Sequence, residues 1–263
     1  MNILDKIVID KRKEVAAKKA LLSTDFLKKS PMFLRDSYSL TASVKSGSGI
    51  IAEFKRRSPS KQVINQKSSV IDVVRGYEEA GVSGISVLTD TKYFGGSLDD
   101  LIQVRNTVNL PVLRKDFIID VYQIYEAKAF GADAILLIAA ILSEDEIIKF
   151  SSLANKLGLE VLLEVHNKEE LYKADLIYVH LVGVNNRNLK TFEVSLNTSK
   201  NLSKLIPDDK IKISESGISS VQSIKELKKH NFDGFLIGEN FMKTEDPGKA
   251  AFNFLRELNH VFK

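Results

Sequence analysis

Eight short apolar runs, each followed by a stretch of helical period, leave few architectures open to this chain. The runs are GIIAEFK (49–55), GISVLTD (84–90), PVLRKDF (111–117), ADAILLIAA (132–140), LEVLLEVH (159–166), VHLVGVNNR (179–187), IKISESG (211–217) and DGFLIGE (233–239). Between the first two, Val70, Val73, Val74 and Tyr77 fall on one face of a helix predicted over 69–81, which stops at Gly81. The segment 143–158 opens with a serine cap and an acidic first turn and closes at Gly158. Further helices are read at 98–108, 120–130, 196–205, 219–230 and 247–261, with a short one at 168–173.

Strands that are apolar on both faces need cover on both faces, which parallel sheets obtain from their crossover helices. Eight such βα units read most simply as a closed (β/α)8 TIM barrel, and 263 residues suit one domain of that kind. An open doubly wound sheet is the alternative. It would carry a glycine-rich turn after the first strand, where this chain has KRRSPSK.

Residues 1–45 stand outside the repeat. They are helical in ILDKIVIDKRKEVAAKKALL, with a second short helix near 24–29, and are too few to bury a core alone. They are expected to pack as an N-terminal helical extension on a barrel of residues 46–263, within a single domain. SVKSGSGI is read as the lead-in to the first strand.

Composition excludes several classes of function. Without cysteine there are no disulfides, thiolate metal sites or cysteine nucleophiles, and a reducing compartment is the natural setting. Charges from position 5 onward rule out an apolar signal core, and no run is long enough to cross a bilayer, so a cytoplasmic protein with no membrane attachment is expected. The 38 basic and 34 acidic residues give a net charge of +4, spread along the chain rather than gathered in a nucleic-acid module. The mild excess fits a small anionic substrate equally well and for the most part serves solubility, and nothing points to an obligate protein partner.

In a barrel, active groups gather at the carboxyl ends of the strands. Those ends hold Glu53 and Lys55 on strand one, Lys115 and Asp116 on strand three, Glu164 on strand five, Asn185 and Arg187 on strand six, and Glu215 and Ser216 on strand seven. Any one of them reads equally well as a solvated rim residue. Five charged strand ends converging on one mouth are harder to explain without function, since burying an unpaired ion costs about several kcal/mol. Gly217 and Gly238 follow the last two strands, where barrel phosphate sites recur, and leave backbone N–H groups open to a ligand. His166, His180, His230 and His260 show neither a partnered acid nor metal-ligand spacing and are read as structural.

The ordered motifs IAEFKRRSPSK, GISVLTDTKYFGGSLDDL, PVLRKDFIID, LEVLLEVHN, VGVNNRNLKTF, ISESGI and FLIGENFM resemble those of the indole-3-glycerol phosphate synthase family, over essentially the whole chain. The resemblance implies a lyase of tryptophan biosynthesis without cofactor or metal. Its substrate would be 1-(2-carboxyphenylamino)-1-deoxyribulose 5-phosphate, closed to indole-3-glycerol phosphate with loss of carbon dioxide and water. It implies Lys115 as the acid at the substrate carbonyl, Glu164 as the base, Lys55 at the substrate carboxylate and Glu53 paired with a lysine, with the division of protons between Glu53 and Glu164 left open. Asn185, Arg187, Glu215 and Ser216 correspond to substrate contacts. Phosphate is expected on Ser216, Gly217, Gly238 and the Glu239 backbone, with Ser58 nearby. Phe94, Phe117 and Leu137 are expected as apolar walls for the anthranilate ring. Two positions depart from the pattern: Gln62 stands where many members have glycine, and Glu239 where many have Ser or Thr. An inward carboxylate would repel phosphate, so Glu239 is expected to turn outward and offer only its N–H.

An isomerase of phosphoribosylanthranilate type would share the phosphate site but commonly uses a cysteine base. A phosphosugar-binding barrel without activity would leave the paired Lys and Glu groups without a purpose.

Overall fold

Strand β1 (Ile50–Phe54) pairs in parallel with β2 (Gly84–Leu88) on one side and β8 (Gly234–Ile237) on the other, which closes the sheet. The computed structural model describes residues 3–189 and 191–261. Around the ring, in chain order, lie β3 (Val112–Lys115), β4 (Ala134–Ile138), β5 (Glu160–Val165), β6 (Leu181–Asn185) and β7 (Ile211–Glu215). All eight expected runs contain a strand, each shortened by two to four residues where the loop takes over.

The extension contributes α1 (Ile3–Leu21), α2 (Thr24–Leu27) and α3 (Leu40–Ser46). The helices over the barrel are α4 (Val70–Ala80), α5 (Thr91–Phe94), α6 (Leu98–Thr107), α7 (Val121–Ala129), α8 (Glu144–Lys156), α9 (Lys168–Lys173), α10 (Asn197–Leu202), α11 (Val221–Lys228), α12 (Glu239–Met242) and α13 (Pro247–Val261). The four-residue helices α5 and α12 are too short to leave a periodic signal.

Alternation along each strand sorts side chains into two cores. Ile50, Ala52 and Phe54 pack outward with the helices, whereas Ile51, Leu113, Leu136, Leu162, Leu181, Ile213 and Leu236 fill the barrel interior. Leu40 and Val44 of α3 join that interior core. They close the end opposite the strand carboxyl termini, and the first half of the lead-in expected at SVKSGSGI is therefore helix. A Cβ on Gly84 would lie 2.6 Å from Leu40 Cδ1, so the glycine at the start of β2 makes room for this plug.

Helix α1 crosses the opposite end. Its buried stripe is Ile7, Lys11 and Val15, one residue per turn, with a lysine in the middle of an apolar series. The Lys11 side chain is 1% exposed; its Nζ lies 2.9 Å from Asp90 Oδ2, 3.0 Å from Asp116 Oδ1 and 2.8 Å from Glu14 Oε2. Asp116 is also paired with Arg114, Arg114 with Glu126, Glu126 with Lys18, and Lys18 with Glu14. This closed ring of ion pairs fastens α1 to the end of β3, next to Lys115.

Candidate active site

Glu53, Lys115, Glu164 and Glu215 come from four different strands, yet each occupies the last inward-facing position before its loop, so their charges meet in one space. They line a cavity of about 300 Å³ together with Lys55, Ser58, Phe94, Phe117, Asn185, Arg187, Ser216, Gly217, Gly238 and Glu239. Every sequence-predicted site residue except Leu137 is in this lining. Leu137 faces the helices and is fully buried in the outer core, while its neighbours Leu136 and Ile138 form the cavity wall. Both faces of β4 are apolar, so residue type could not show which alternate set faced in.

Lys115 Nζ lies 3.3 Å from Glu164 Oε2 and 3.4 Å from Glu215 Oε2. Burial works against its charge, but Glu215, Glu164 and Glu53 outweigh that and hold the ammonium above the ordinary lysine range. Glu215 is pushed up to about 7 by burial, and the charges of Glu164 and Glu53 add to this against the pull of Lys115. Glu164 goes the other way: burial opposes its ionisation, but Lys115, His166 and a hydrogen bond from Asn185 together hold it below the usual range. Two carboxylates on one lysine are thus driven apart, one ionised and one near neutrality, which is the arrangement acid-base chemistry needs. Beside them Lys55 Nζ and Glu53 Oε1 are paired at 2.6 Å.

Two glycines keep these carboxylates in place. A Cβ on Gly183, in β6, would overlap Glu215 Oε1, and one on Gly238 would lie 2.6 Å from Glu53 Oε1. Gly183→Ala is therefore expected to displace the Glu215 carboxylate and lower kcat about 10-fold or more. A steady-state assay showing a parent-like kcat would mean that Glu215 can shift without cost. Ser216 and Gly217 follow with positive φ, 65° and 77°. This bend, and the start of α12 at Gly238, bring backbone to the cavity rim.

The basic run after β1 is more ordered than a solvated loop. Arg56 makes two hydrogen bonds to Asp100, at 2.6 and 2.8 Å, and its guanidinium covers the Phe54 ring. Arg57 donates to the carbonyls of Thr91 and Lys92. Lys61 meets the half-exposed Glu239 carboxylate at 3.3 Å, which ties the loop after β1 to α12.

Sequence reasoning missed the roof of the cavity, built by Ile3, Leu4 and Ile7 of α1, and a further cation at its edge, Lys243. Amphipathic helix residues give no sign of whether they cover a core or a ligand. The reading of His166 as lacking an acid is also corrected: its ring lies between Glu164 and Glu170, at 3.4 and 3.1 Å. His180 keeps a structural place, its Nδ1 accepting from the Val161 N–H. Among the described residues, no group of three or more His, Cys, Asp or Glu has an arrangement able to hold a metal, and no helix is long and apolar enough to cross a membrane.

Residues 4–254 match the family model described as indole-3-glycerol phosphate synthase. The chain is 46% identical over 258 residues to a protein of that name from Bacteroides thetaiotaomicron, covering 98% of this chain and 99% of the relative. It is 43% identical to another from Paracidovorax citrulli, with 95% and 97% covered. Among solved structures it is similar in fold to a thiamine phosphate pyrophosphorylase from Pyrococcus furiosus, at a TM-score of 0.63 and 17% identity over 86% of this chain and all of that one. A chain of the tryptophan synthase complex from Pyrococcus furiosus gives a TM-score of 0.61 at 15% identity, with 81% and 98% covered.

Proposed function

This chain belongs to the indole-3-glycerol phosphate synthase family, and from that premise we propose how its residues divide the work. The activity is a carboxy-lyase step of tryptophan biosynthesis. 1-(2-carboxyphenylamino)-1-deoxyribulose 5-phosphate is closed to indole-3-glycerol phosphate with release of carbon dioxide and water.

Ring closure places negative charge on the substrate carbonyl oxygen as the aromatic carbon attacks it. A donor already charged and already desolvated stabilises that oxygen without reorganising. Lys115 fits this role, because three surrounding carboxylates hold it cationic inside the cavity. The observation that carries the proposal is the placement of Lys115 between Glu164 and Glu215, with one carboxylate ionised and the other titrating near 7. Cleavage of the bond to carbon dioxide returns its electrons to the ring and restores the benzene sextet, and Glu164 then accepts the proton that leaves as water is lost and the indole double bond forms. Glu215 can exchange a proton near neutral pH, and Glu53, held by Lys55, serves the loss of water.

The substrate phosphate is assigned to the backbone at Ser216, Gly217, Gly238 and Glu239, with Ser58 nearby on the loop after β1 that Lys61 ties to α12. The outward pairing of Glu239 with Lys61 supports this, since it draws the carboxylate away from the anion. Phe94 and Phe117, with ring centroids 5.9 Å apart, and the Leu136 and Ile138 wall suit the anthranilate ring. Asn185 and Arg187 are assigned to substrate contact, and Lys55 to the substrate carboxylate. A cytoplasmic setting and independence from an obligate partner belong to the same reading. The first rests on the lack of cysteine, which suits a reducing compartment.

Incubating the purified chain with the anthranilate-derived substrate and following indole fluorescence tests the assignment. A folded protein that binds phosphate yet shows no turnover would remove it. Lys55→Met is expected chiefly to raise KM, about 10- to 100-fold for the loss of one charged hydrogen bond to the substrate, with a smaller fall in kcat through its partner Glu53. A selective fall in kcat would move Lys55 from anchoring into the chemical step.

A further inference from the structure

His166 stands two residues beyond Glu164 and so points to the same side of β5, but it lies behind Glu164 and outside the cavity lining. Its two ring nitrogens both face carboxylates: Nε2 is 3.4 Å from Glu164 Oε1 and Nδ1 is 3.1 Å from Glu170 Oε2. A neutral imidazole has one N–H and one acceptor nitrogen, and the acceptor would confront an anionic oxygen. Only the imidazolium turns a proton toward each, hydrogen-bonded at Nδ1 to Glu170 and, at Nε2, in charge contact with Glu164 without a hydrogen bond.

Glu170 is itself held in register. It belongs to the first turn of α9, where its Oε1 accepts from the Asn167 side chain and its Oε2 accepts from the His166 backbone N–H. The Glu170 N–H in turn donates to the Asn167 side chain. The start of α9 thus fixes Glu170, and Glu170 fixes the imidazole, much as second partners orient a catalytic histidine. On the other side, Glu164 Oε2 faces Lys115, so its two oxygens are gripped by cations from two strands.

We propose that His166 is a positioning residue for Glu164, an imidazolium clamped between Glu164 and Glu170 that keeps the Glu164 carboxylate ionised and aimed across the cavity. The inference rests on the assignment of Glu164 as a base. The charged groups acting on the ring are Glu164 on its own strand, Glu170 from α9 and Glu215 from β7. Burial works against its charge, and those carboxylates outweigh that and raise its affinity for a proton. Without the cation, Glu164 binds its proton more tightly, and higher pH is needed to reach the active form.

The test is the pH dependence of kcat in His166→Gln, a neutral side chain that keeps hydrogen-bonding capacity. The acid limb is expected to move up by about one pH unit, as for a carboxylate losing a neighbouring opposite charge. KM at the pH optimum should stay within about 2-fold, and the thermal midpoint should be close to that of the parent. Glu170→Gln should move the limb the same way by less, and adding it to His166→Gln should change nothing further. A profile that superimposes on the parent's overturns the proposal, as does a uniform loss of kcat at all pH.

Imidazole NMR separates this inference from the one beneath it. In Glu164→Gln, His166 should lose its proton at lower pH than in the parent. If Glu164→Gln retained turnover, the base assignment would fall while the His166 titration still reported the clamp. An unshifted His166 titration in a variant without turnover would sink the clamp alone.

Discussion

Lys115→Met is expected to lower kcat by about 10³-fold, within the range ascribed to a positioned acid or base, while leaving the phosphate site intact. The reason is specific to the cluster. Methionine matches the lysine stem in length but removes the charge that Glu164 and Glu215 share. Glu215, already at about 7, would hold its proton to still higher pH, and Glu164 would lose one of the two cations that keep it ionised. The fluorescence assay gives kcat, and titration with inorganic phosphate checks that the remainder of the cavity is unchanged. A variant with near-parent kcat and normal phosphate affinity would show that the carbonyl is polarised by some other group.

Lys11→Met should have its largest effect on the fold. Asp90 and Asp116 are buried, and Lys11 is the residue from α1 that neutralises both. Removing one side of a buried pair leaves uncompensated charge, at a cost of about 3–5 kcal/mol. In a chain of this size each kcal/mol lowers the thermal midpoint by about 2–4 °C, so a fall of about 10 °C is expected. The pH dependence has a definite sign. Burial raises Asp116, but Lys11 and Arg114 overcome this and hold it far below the ordinary aspartate range. The stability it contributes is therefore present above its unfolded-state value and lost as pH falls through its folded-state one. With Lys11 gone the depression shrinks, and acid unfolding should begin at higher pH. Because α1 also carries Ile3, Leu4 and Ile7 over the cavity, KM should rise even where the variant is fully folded. An unchanged midpoint would show that Asp90 and Asp116 reach water once Lys11 is removed.

How much of this was legible beforehand depended on the kind of physical signal. Strand β1 could be placed because alternation brings Glu53 and Lys55 to one side and Ile50, Ala52 and Phe54 to the other. Strand β4 offered no such contrast, and the wall was assigned to Leu137 when Leu136 and Ile138 form it. The spacing Glu164, His166, Glu170 was visible in EVHNKEE, but it becomes a clamp only when α9 folds back to place Glu170 on the ring. The pairing of Arg56 with Asp100 left no trace in the sequence, because the two lie 44 positions apart.

The sequence by itself determined the eight βα units, the closed barrel and the residues at the strand ends, because each follows from local periodicity or from the side-chain order within one strand. Only the tertiary structure decided that α1 roofs the cavity, that α3 plugs the far end, that Lys11 locks the roof to β3, and that Lys115 sits between two carboxylates of opposite tendency. Those properties belong to charges brought together from distant positions out of water. Their energies depend on separation and burial, neither of which a linear order of residues contains.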